Sequence, residues 1–146
     1  MDVQQQLADA FLKGMNQFHR MMLTLSGGRW GSSFSGMTAL ELHTIGRKSG
    51  QRRSVMLTAP IREPDRIVVV ASKGGDERDP EWYKNLVAHP AVEVTIAGST
   101  EAMTAHTATA AERAELWPRI VAKYGNYGSY QRRTSREIPV VILEPR

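Results

Sequence analysis

Short strand-like segments separated by tight turns constrain the fold of this chain more than any other feature. Apolar and polar residues alternate from residue 39, and again after a basic loop at 46–53. The run at 67–71 is continuously apolar, which is typical of a strand buried on both faces. Turn signals at 63–65 and 98–99 indicate hairpins before and after that run. Many hairpin-linked strands with few helices predict a mainly β protein, built as a small barrel.

Helices are predicted in three places. Apolar residues at steps of three and four indicate an amphipathic helix over 3–25. Asp79 is expected to cap a short helix, because a proline follows it at the first helical position. A capping box at 109–112 opens a longer helix, which Pro118 should kink or split. A last strand is predicted over 138–144.

A chain of 146 residues fits one folded domain. We expect residues 39–146 to form it, preceded over 1–38 by the amphipathic helix and a Gly/Ser-rich loop. The apolar face of the helix predicts either packing against the barrel or contact with a membrane surface or a partner. Nothing in the sequence predicts an oligomeric state.

Composition excludes several kinds of site. The chain has no cysteine, which excludes disulfide frameworks, thiolate zinc sites and thiol nucleophiles. Its four histidines are isolated from one another, so no metal site is predicted. No apolar run approaches the roughly 20 residues of a membrane-spanning helix, and the N-terminus does not resemble a signal peptide. We therefore expect a cytoplasmic protein, with membrane association through residues 3–25 as an alternative.

The most informative segment is the basic loop at 46–53, which carries four cations between two predicted strands. Its glycines allow a tight turn that brings backbone N–H groups towards an anion. Arg47 and Arg53 can each hold a phosphate or carboxylate through two parallel hydrogen bonds, and Lys48 adds a point charge. A solvated hairpin loop explains the same residues about equally well, so both interpretations stand at this point.

Two other segments have the composition of a pocket wall. Residues 71–75 combine a small residue, a hydroxyl, a cation and two glycines directly after the buried strand, which suits a flat ligand lying against the backbone. Trp82 follows on the short predicted helix, where core packing is the alternative. Tyr124, Tyr127 and Tyr130 recur at steps of three, so they share about one face of a helical turn and either line a pocket or pack in the core.

Several separated motifs resemble the deazaflavin-dependent nitroreductase family in their order and spacing, over about 40–146. The matching segments are Leu42 to Gly50, Val68 to Gly75, Asp79 to Leu86, His89-Pro90, Trp117-Pro118, the tyrosine triplet and Arg136 to Val140. The resemblance implies a split β-barrel related to flavin reductases, with reduced coenzyme F420 as the hydride donor. Thr58 departs from it, since the family's nitroimidazole-reducing members tend to carry an aromatic residue there.

The resemblance also implies roles for individual residues. The cofactor's phosphodiester and glutamate tail would be bound by Arg47, Lys48 and Arg53. The deazaflavin ring would be lined by Val70, Ala71, Ser72, Lys73 and Trp82. The acceptor side, where hydroxyls stabilise charge on a quinone, nitroaromatic or enone, would be lined by Ser72, Tyr124, Tyr127 and Tyr130.

Two other functions stand as alternatives. A non-catalytic deazaflavin carrier would keep the cationic site without a productive acceptor pocket. A nucleic-acid-binding barrel would interleave aromatic residues with cations along its strands, and the loop at 46–53 contains no aromatic residue. The expected function is therefore an oxidoreductase that uses coenzyme F420, with a small-molecule acceptor and no nucleic-acid partner.

Overall fold

The computed structural model describes residues 33–34 and 36–146, so the helix predicted over 3–25 lies outside the described residues. The strands are β1 (Ser33–Phe34), β2 (Met37–Ile45), β3 (Arg52–Ala59), β4 (Ile61–Glu63), β5 (Arg66–Val70), β6 (Ala91–Ile96), β7 (Ser99–Thr107) and β8 (Val140–Pro145). The helices within the described residues are α1 (Glu81–Ala88), α2 (Ala110–Lys123), α3 (Asn126–Arg133) and a 3-10 turn at Lys73–Gly75.

The eight strands form one sheet, and its strand pairs are antiparallel. The order is β1-β2-β6-β7-β8-β5-β4, and β3 pairs with β2. Because β3 also contacts β5, the sheet curls until its two sides meet. Apolar side chains oppose one another across the ladders, as where Leu40 faces Leu57 and Leu42 faces Val55. The described part of the chain is mainly β with a few helices, as predicted.

The apolar run at 67–71 shows how the core is divided between the two faces of the sheet. Ile67 and Val69 belong to a cluster inside the barrel, whereas Val68 and Val70 belong to a second cluster between the sheet and helices α2 and α3. All four side chains are buried, so the prediction of a strand covered on both faces is confirmed. Burying an aliphatic side chain of this size contributes roughly 1.5–3 kcal/mol.

Asp79 does not cap helix α1, which corrects the prediction from the sequence. Pro80 occupies the cap position and makes no side-chain cap hydrogen bond. The Asp79 carboxylate instead accepts a hydrogen bond from Nη1 of Arg136 at 3.0 Å. A charge-assisted bond to a guanidinium is stronger than a neutral one, so the arginine is the better partner for the carboxylate.

In helix α2 the predicted capping box is confirmed, and Pro118 does not split the helix. The capping box is present, since Thr109 Oγ1 accepts from the Glu112 N–H at 3.2 Å and Glu112 Oε1 accepts from the Thr109 N–H at 2.8 Å. The helix continues through Pro118 without a break. Leu116 and Ile120, on either side of the proline, are fully buried, so packing against the sheet outweighs the missing backbone hydrogen bond.

The end of the chain forms a strand, as predicted, although β8 begins at Val140 rather than at residue 138. Pro139 lies directly before the strand, where its missing N–H removes no hydrogen bond from the ladder. Its carbonyl oxygen accepts a hydrogen bond from the Ala71 N–H at 2.9 Å. This contact joins the start of β8 to the segment that follows β5.

Candidate functional site

The basic loop at 46–53 joins β2 to β3 and closes through its own backbone. The Gly46 N–H donates to the Gln51 carbonyl at 2.8 Å, and the Gly50 N–H donates to the Gly46 carbonyl at 2.8 Å. A Cβ on Gly46 would lie 2.6 Å from Ser49 Oγ, so a side chain at this position has no room without a shift. The loop is therefore a compact turn whose side chains project from a fixed backbone.

Among the described residues, Arg47 is the one cation of this loop that is hydrogen-bonded to a buried side chain, that of Asn85. Oδ1 of Asn85 accepts from the Arg47 backbone N–H at 3.1 Å and from Nη1 at 3.0 Å. Nη1 also lies 2.8 Å from Oε2 of Glu81, whose carboxylate is exposed. Asn85 is buried on helix α1, and Lys48 and Arg53 are exposed. Helix α1 thus orients one arginine and leaves two cations reaching solvent.

These side chains surround a cleft of about 390 Å³, which we call the cation cleft. It is lined by Thr44, Gly46, Arg47, Lys48, Ser49, Arg53, Ser54, Val55, Glu81, Trp82 and Asn85. The structure therefore brings the three predicted tail-binding cations together with Trp82. The residues at 70–73 and the three tyrosines, also predicted for the site, lie outside the lining of this cleft.

The segment at 71–79, called here the strand-end turn, follows β5 and has an unusual backbone. Lys73, Gly74 and Gly75 have positive φ values of 45°, 63° and 85°. A Cβ on Gly75 would lie 2.8 Å from the Tyr130 carbonyl oxygen, so the turn packs closely against helix α3. The predicted ring-binding residues at 70–73 therefore lie next to helix α3, which carries Tyr127 and Tyr130.

Arg136 lies outside the strand-end turn in the sequence, but its side chain holds the turn in place. The sequence did not identify it as a residue of the site. Its guanidinium donates to the carbonyl oxygens of Ala71, Ser72 and Asp76 at 2.8 to 3.3 Å, and to the Asp79 carboxylate at 3.0 Å. Only 14% of its side chain is exposed. The sequence places Arg136 at the start of a segment that resembles the family, but nothing in it indicated that the side chain would bond to the strand-end turn. Arg136 is a positioning residue for the turn.

The three tyrosines occupy different environments. Tyr127 is buried in the core, and its hydroxyl donates to Met37 Sδ at 3.5 Å. Burial raises the pKa of Tyr127 to about 12, with the Thr58 hydroxyl acting in the opposite sense. Tyr130 is half-buried and meets the Tyr127 ring edge to face. The Tyr124 hydroxyl is buried and has no hydrogen-bond partner within the described residues.

A cleft that combines cations with an indole ring, at the edge of a curled antiparallel sheet, suits a ligand that carries both an aromatic group and anionic groups. The chain belongs to the F420H(2)-dependent quinone reductase family, whose model matches residues 15–145. An F420H(2)-dependent quinone reductase of Mycobacterium tuberculosis is 40% identical over 144 residues, which cover 96% of this chain and 89% of the relative.

Two solved structures are similar to this chain. An F420-H2 dependent reductase superposes with a TM-score of 0.65 at 38% identity, covering 73% of this chain and 93% of that chain. A second chain, described as a domain-swapped dimer, superposes with a TM-score of 0.68 at 34% identity, covering 88% of this chain and 94% of that chain. The predictions of a split β-barrel, an oxidoreductase and coenzyme F420 as the cofactor are confirmed.

Neither a membrane-spanning helix nor a metal-binding cluster is present among the residues that the structure describes. None of the helices described there has the length and apolarity to cross a membrane. No group of three or more histidine, aspartate or glutamate side chains in that part of the chain is arranged to hold a metal ion.

Proposed function

We propose that this chain transfers a hydride from reduced coenzyme F420 to a quinone, and that the cation cleft binds the anionic tail of the cofactor. The observation that carries the proposal is the cleft itself, in which Arg47, Lys48 and Arg53 lie together with Trp82. Family membership supports the activity, and the cleft supports the place where the cofactor binds.

The residues of the cation cleft fit the chemistry of the cofactor tail. A phosphodiester and a glutamate carboxylate are anions, and guanidinium groups bind such oxygens through paired charge-assisted hydrogen bonds. Each hydrogen bond to a charged group contributes roughly 1.5–3 kcal/mol. Because Asn85 already orients Arg47, less conformational freedom is lost when an anion binds there.

We place the deazaflavin ring against the end of β5 and the strand-end turn. Val70 and Ala71 are buried, while Ser72 and Lys73 are half-buried at the surface of the turn. When bound there, reduced coenzyme F420 supplies the hydride and its electron pair. The part of this chain is to hold that ring at a fixed distance from the acceptor, and the hydrogen bonds of Arg136 to the turn serve this purpose.

The acceptor oxygen of a quinone gains negative charge as the hydride arrives, and hydroxyl donors stabilise that charge. We propose Ser72, Tyr124 and Tyr130 as these donors. The Tyr124 hydroxyl is buried and makes no hydrogen bond within the described residues, so it donates to an acceptor only if that acceptor displaces the atoms that cover it. Tyr127, the fourth residue proposed on this side, reaches an acceptor only if its hydroxyl leaves Met37. A tyrosine hydroxyl on this side also passes its proton to the reduced acceptor and then regains one from solvent.

The role of the first residues is a separate proposal that rests on the sequence. We propose that residues 39–146 carry the cofactor site by themselves, in the cytoplasm, and that the predicted helix over 3–25 covers the acceptor side or contacts a membrane. A chain beginning near Gly27 should bind the cofactor normally, and it should lose activity with a long-chain quinone more than with a water-soluble one. Equal loss on both quinones would contradict this role.

A titration and an acceptor assay test the main proposal. Coenzyme F420 is titrated into the purified protein, and its reduced form is then mixed with the protein and a series of quinones. Quinone-dependent oxidation of the bound cofactor is the expected result. Binding without oxidation by any quinone would show a carrier instead. Salt-sensitive binding of oligonucleotides without cofactor binding would show a nucleic-acid-binding barrel.

A further inference from the structure

A carboxylate lies inside the cleft that the proposed function gives to an anionic tail. Glu81 is the first residue of α1, and its Oε2 lies 2.8 Å from Nη1 of Arg47. Its other oxygen lies 3.7 Å from Nζ of Lys84. The hydrogen bond from Arg47 holds the pKa of Glu81 below its ordinary value, so this carboxylate is ionised at neutral pH. An acid at this point opposes the binding of a second anion to the same arginine.

Arg47 does not need Glu81 to keep its orientation. The Asn85 side chain, which is 7% exposed, accepts hydrogen bonds from both the backbone and the guanidinium of Arg47. Glu81 is 70% exposed, so its carboxylate can leave Arg47 for solvent at little cost. One partner is therefore a fixed anchor for the arginine, and the other is a displaceable charge.

We infer that Glu81 is a competing carboxylate, which occupies Arg47 in the free protein, must be displaced by the phosphodiester or carboxylates of the cofactor tail, and so weakens the binding of ligands that carry such a tail. This inference rests on the proposed function. A ligand that carries an anionic tail exchanges one ion pair for another and gains the contacts of Lys48 and Arg53. A ligand that never reaches Arg47 leaves Glu81 in place and gains nothing from its removal.

The test is the substitution Glu81→Gln, which removes the charge and keeps the shape of the side chain. Coenzyme F420 should bind about 2- to 5-fold more tightly to this variant, because an exposed ion pair no longer competes with the tail. The gain should shrink as salt is raised, since these charges are exposed to solvent. A deazaflavin that lacks the phosphodiester and glutamate tail should bind equally to both proteins.

The matched control is Glu115→Gln, which changes the net charge by the same amount on helix α2. Glu115 pairs with Arg66 and Arg119 and does not line the cation cleft. This variant should leave the dissociation constant of coenzyme F420 unchanged. Melting temperatures of both variants report whether either substitution disturbs the fold.

The outcomes separate this inference from the proposed function. Unchanged or weaker binding of coenzyme F420 to the Glu81→Gln variant overturns the inference, because the carboxylate would then be neutral for the tail or would orient Arg47. Tighter binding of the tail-less deazaflavin as well would also overturn it. If Arg47→Ala fails to weaken binding of coenzyme F420, the placement of the tail in the cation cleft is wrong, whatever the Glu81 variant does.

Discussion

The basic loop at 46–53 and the strand-end turn at 71–79 both follow a strand, carry glycines and cations and close through backbone hydrogen bonds, yet among the described residues only the turn is also held by an arginine from a distant part of the chain. The loop closes through its own backbone bonds and leaves Lys48 and Arg53 exposed. The turn is held by Arg136, which donates its hydrogen bonds to the protein itself. Arg136 donates its N–H groups to the backbone and carboxylate oxygens of the turn, whereas the basic loop keeps cations that reach solvent and are available to a ligand.

This difference predicts separate effects of substitutions in the two regions. Changes in the basic loop should alter the affinity for the cofactor and leave the free energy of unfolding almost unchanged. Changes at the strand-end turn should alter the free energy of unfolding or the turnover of bound cofactor.

Arg136→Ala should have the largest effect, on stability. It leaves three carbonyl oxygens and the Asp79 carboxylate without their donor. Removing one partner of such a network should lower the free energy of unfolding by about 3 kcal/mol. For 146 residues this corresponds to a fall in Tm of roughly 6–12 °C, measured by thermal unfolding.

Arg136→Lys is the control for this prediction, because it keeps the charge and loses the planar fork of donors. It should recover only part of the lost stability. Full recovery would show that charge alone holds the turn, and an unchanged Tm in Arg136→Ala would remove Arg136 as the residue that builds this region.

Tyr127 makes the stability of the molecule sensitive to alkaline pH. Its pKa is about 12 in the folded protein, against about 10 for an exposed tyrosine. Because the folded-state value is the higher one, this stabilisation is complete below pH 10 and is lost as pH rises through 12. The loss should be roughly 2–3 kcal/mol, measured by denaturant unfolding from pH 9 to pH 12.

Tyr127→Phe is the matched variant, because it keeps the ring in the core and has no phenol to ionise. It should show a smaller loss of stability over the same pH range. A parallel loss in the variant and the parent protein would mean that other groups cause the alkaline effect.

Tyr130→Phe tests the acceptor side of the strand-end turn. Losing a donor to developing negative charge costs roughly 2.7–4 kcal/mol in a dry site. Tyr130 is half-buried, so we expect about 2 kcal/mol, or a turnover roughly 30-fold slower with a quinone. The dissociation constant of coenzyme F420 should hardly change. Unchanged turnover in both Tyr130→Phe and Tyr124→Phe would return these rings to a packing role.

Gly75→Ala compares two glycines of the same turn. Both Gly74 and Gly75 have positive φ values, so alanine at either position is strained by about 1 kcal/mol. Only at Gly75 would the new Cβ also meet a backbone oxygen, that of Tyr130, at 2.8 Å. Gly75→Ala should therefore lower the free energy of unfolding by about 2 kcal/mol and Gly74→Ala by about half of that, as measured by urea unfolding. Equal losses would show that helix α3 yields to the methyl group.

Local features could be predicted from the sequence because they depend on neighbouring residues, as for the strands, the buried run at 67–71 and the capping box at 109–112. The cofactor could be predicted because several separated motifs resemble those of a known family. Local rules failed where a distant partner decides the outcome. The sequence predicts that Asp79 caps a helix. In the structure its carboxylate instead accepts a hydrogen bond from Arg136, which lies 57 residues further along the chain. The contact follows from the antiparallel pairing of β8 with β5, because this pairing brings the segment before β8, with Arg136, next to the turn after β5.

The tyrosine triplet illustrates the same limit within the site. A spacing of three correctly indicates neighbouring rings, since Tyr127 and Tyr130 are in contact. It does not show that α2 ends at Lys123, which leaves Tyr124 between two helices. Which ring is buried therefore depends on how helix α3 sits on the barrel, and a repeat of three residues contains no information about that.

The dissociation constant of coenzyme F420 for Arg47→Ala and Lys48→Ala tests directly whether the cation cleft binds the tail of the cofactor. Arg119→Ala, on an exposed ion pair of α2, is the control with the same change of charge. We predict binding about tenfold weaker for Arg47→Ala, or about 1.4 kcal/mol, a smaller loss for Lys48→Ala, and no change for the control. Unchanged dissociation constants for both loop variants would contradict the claim.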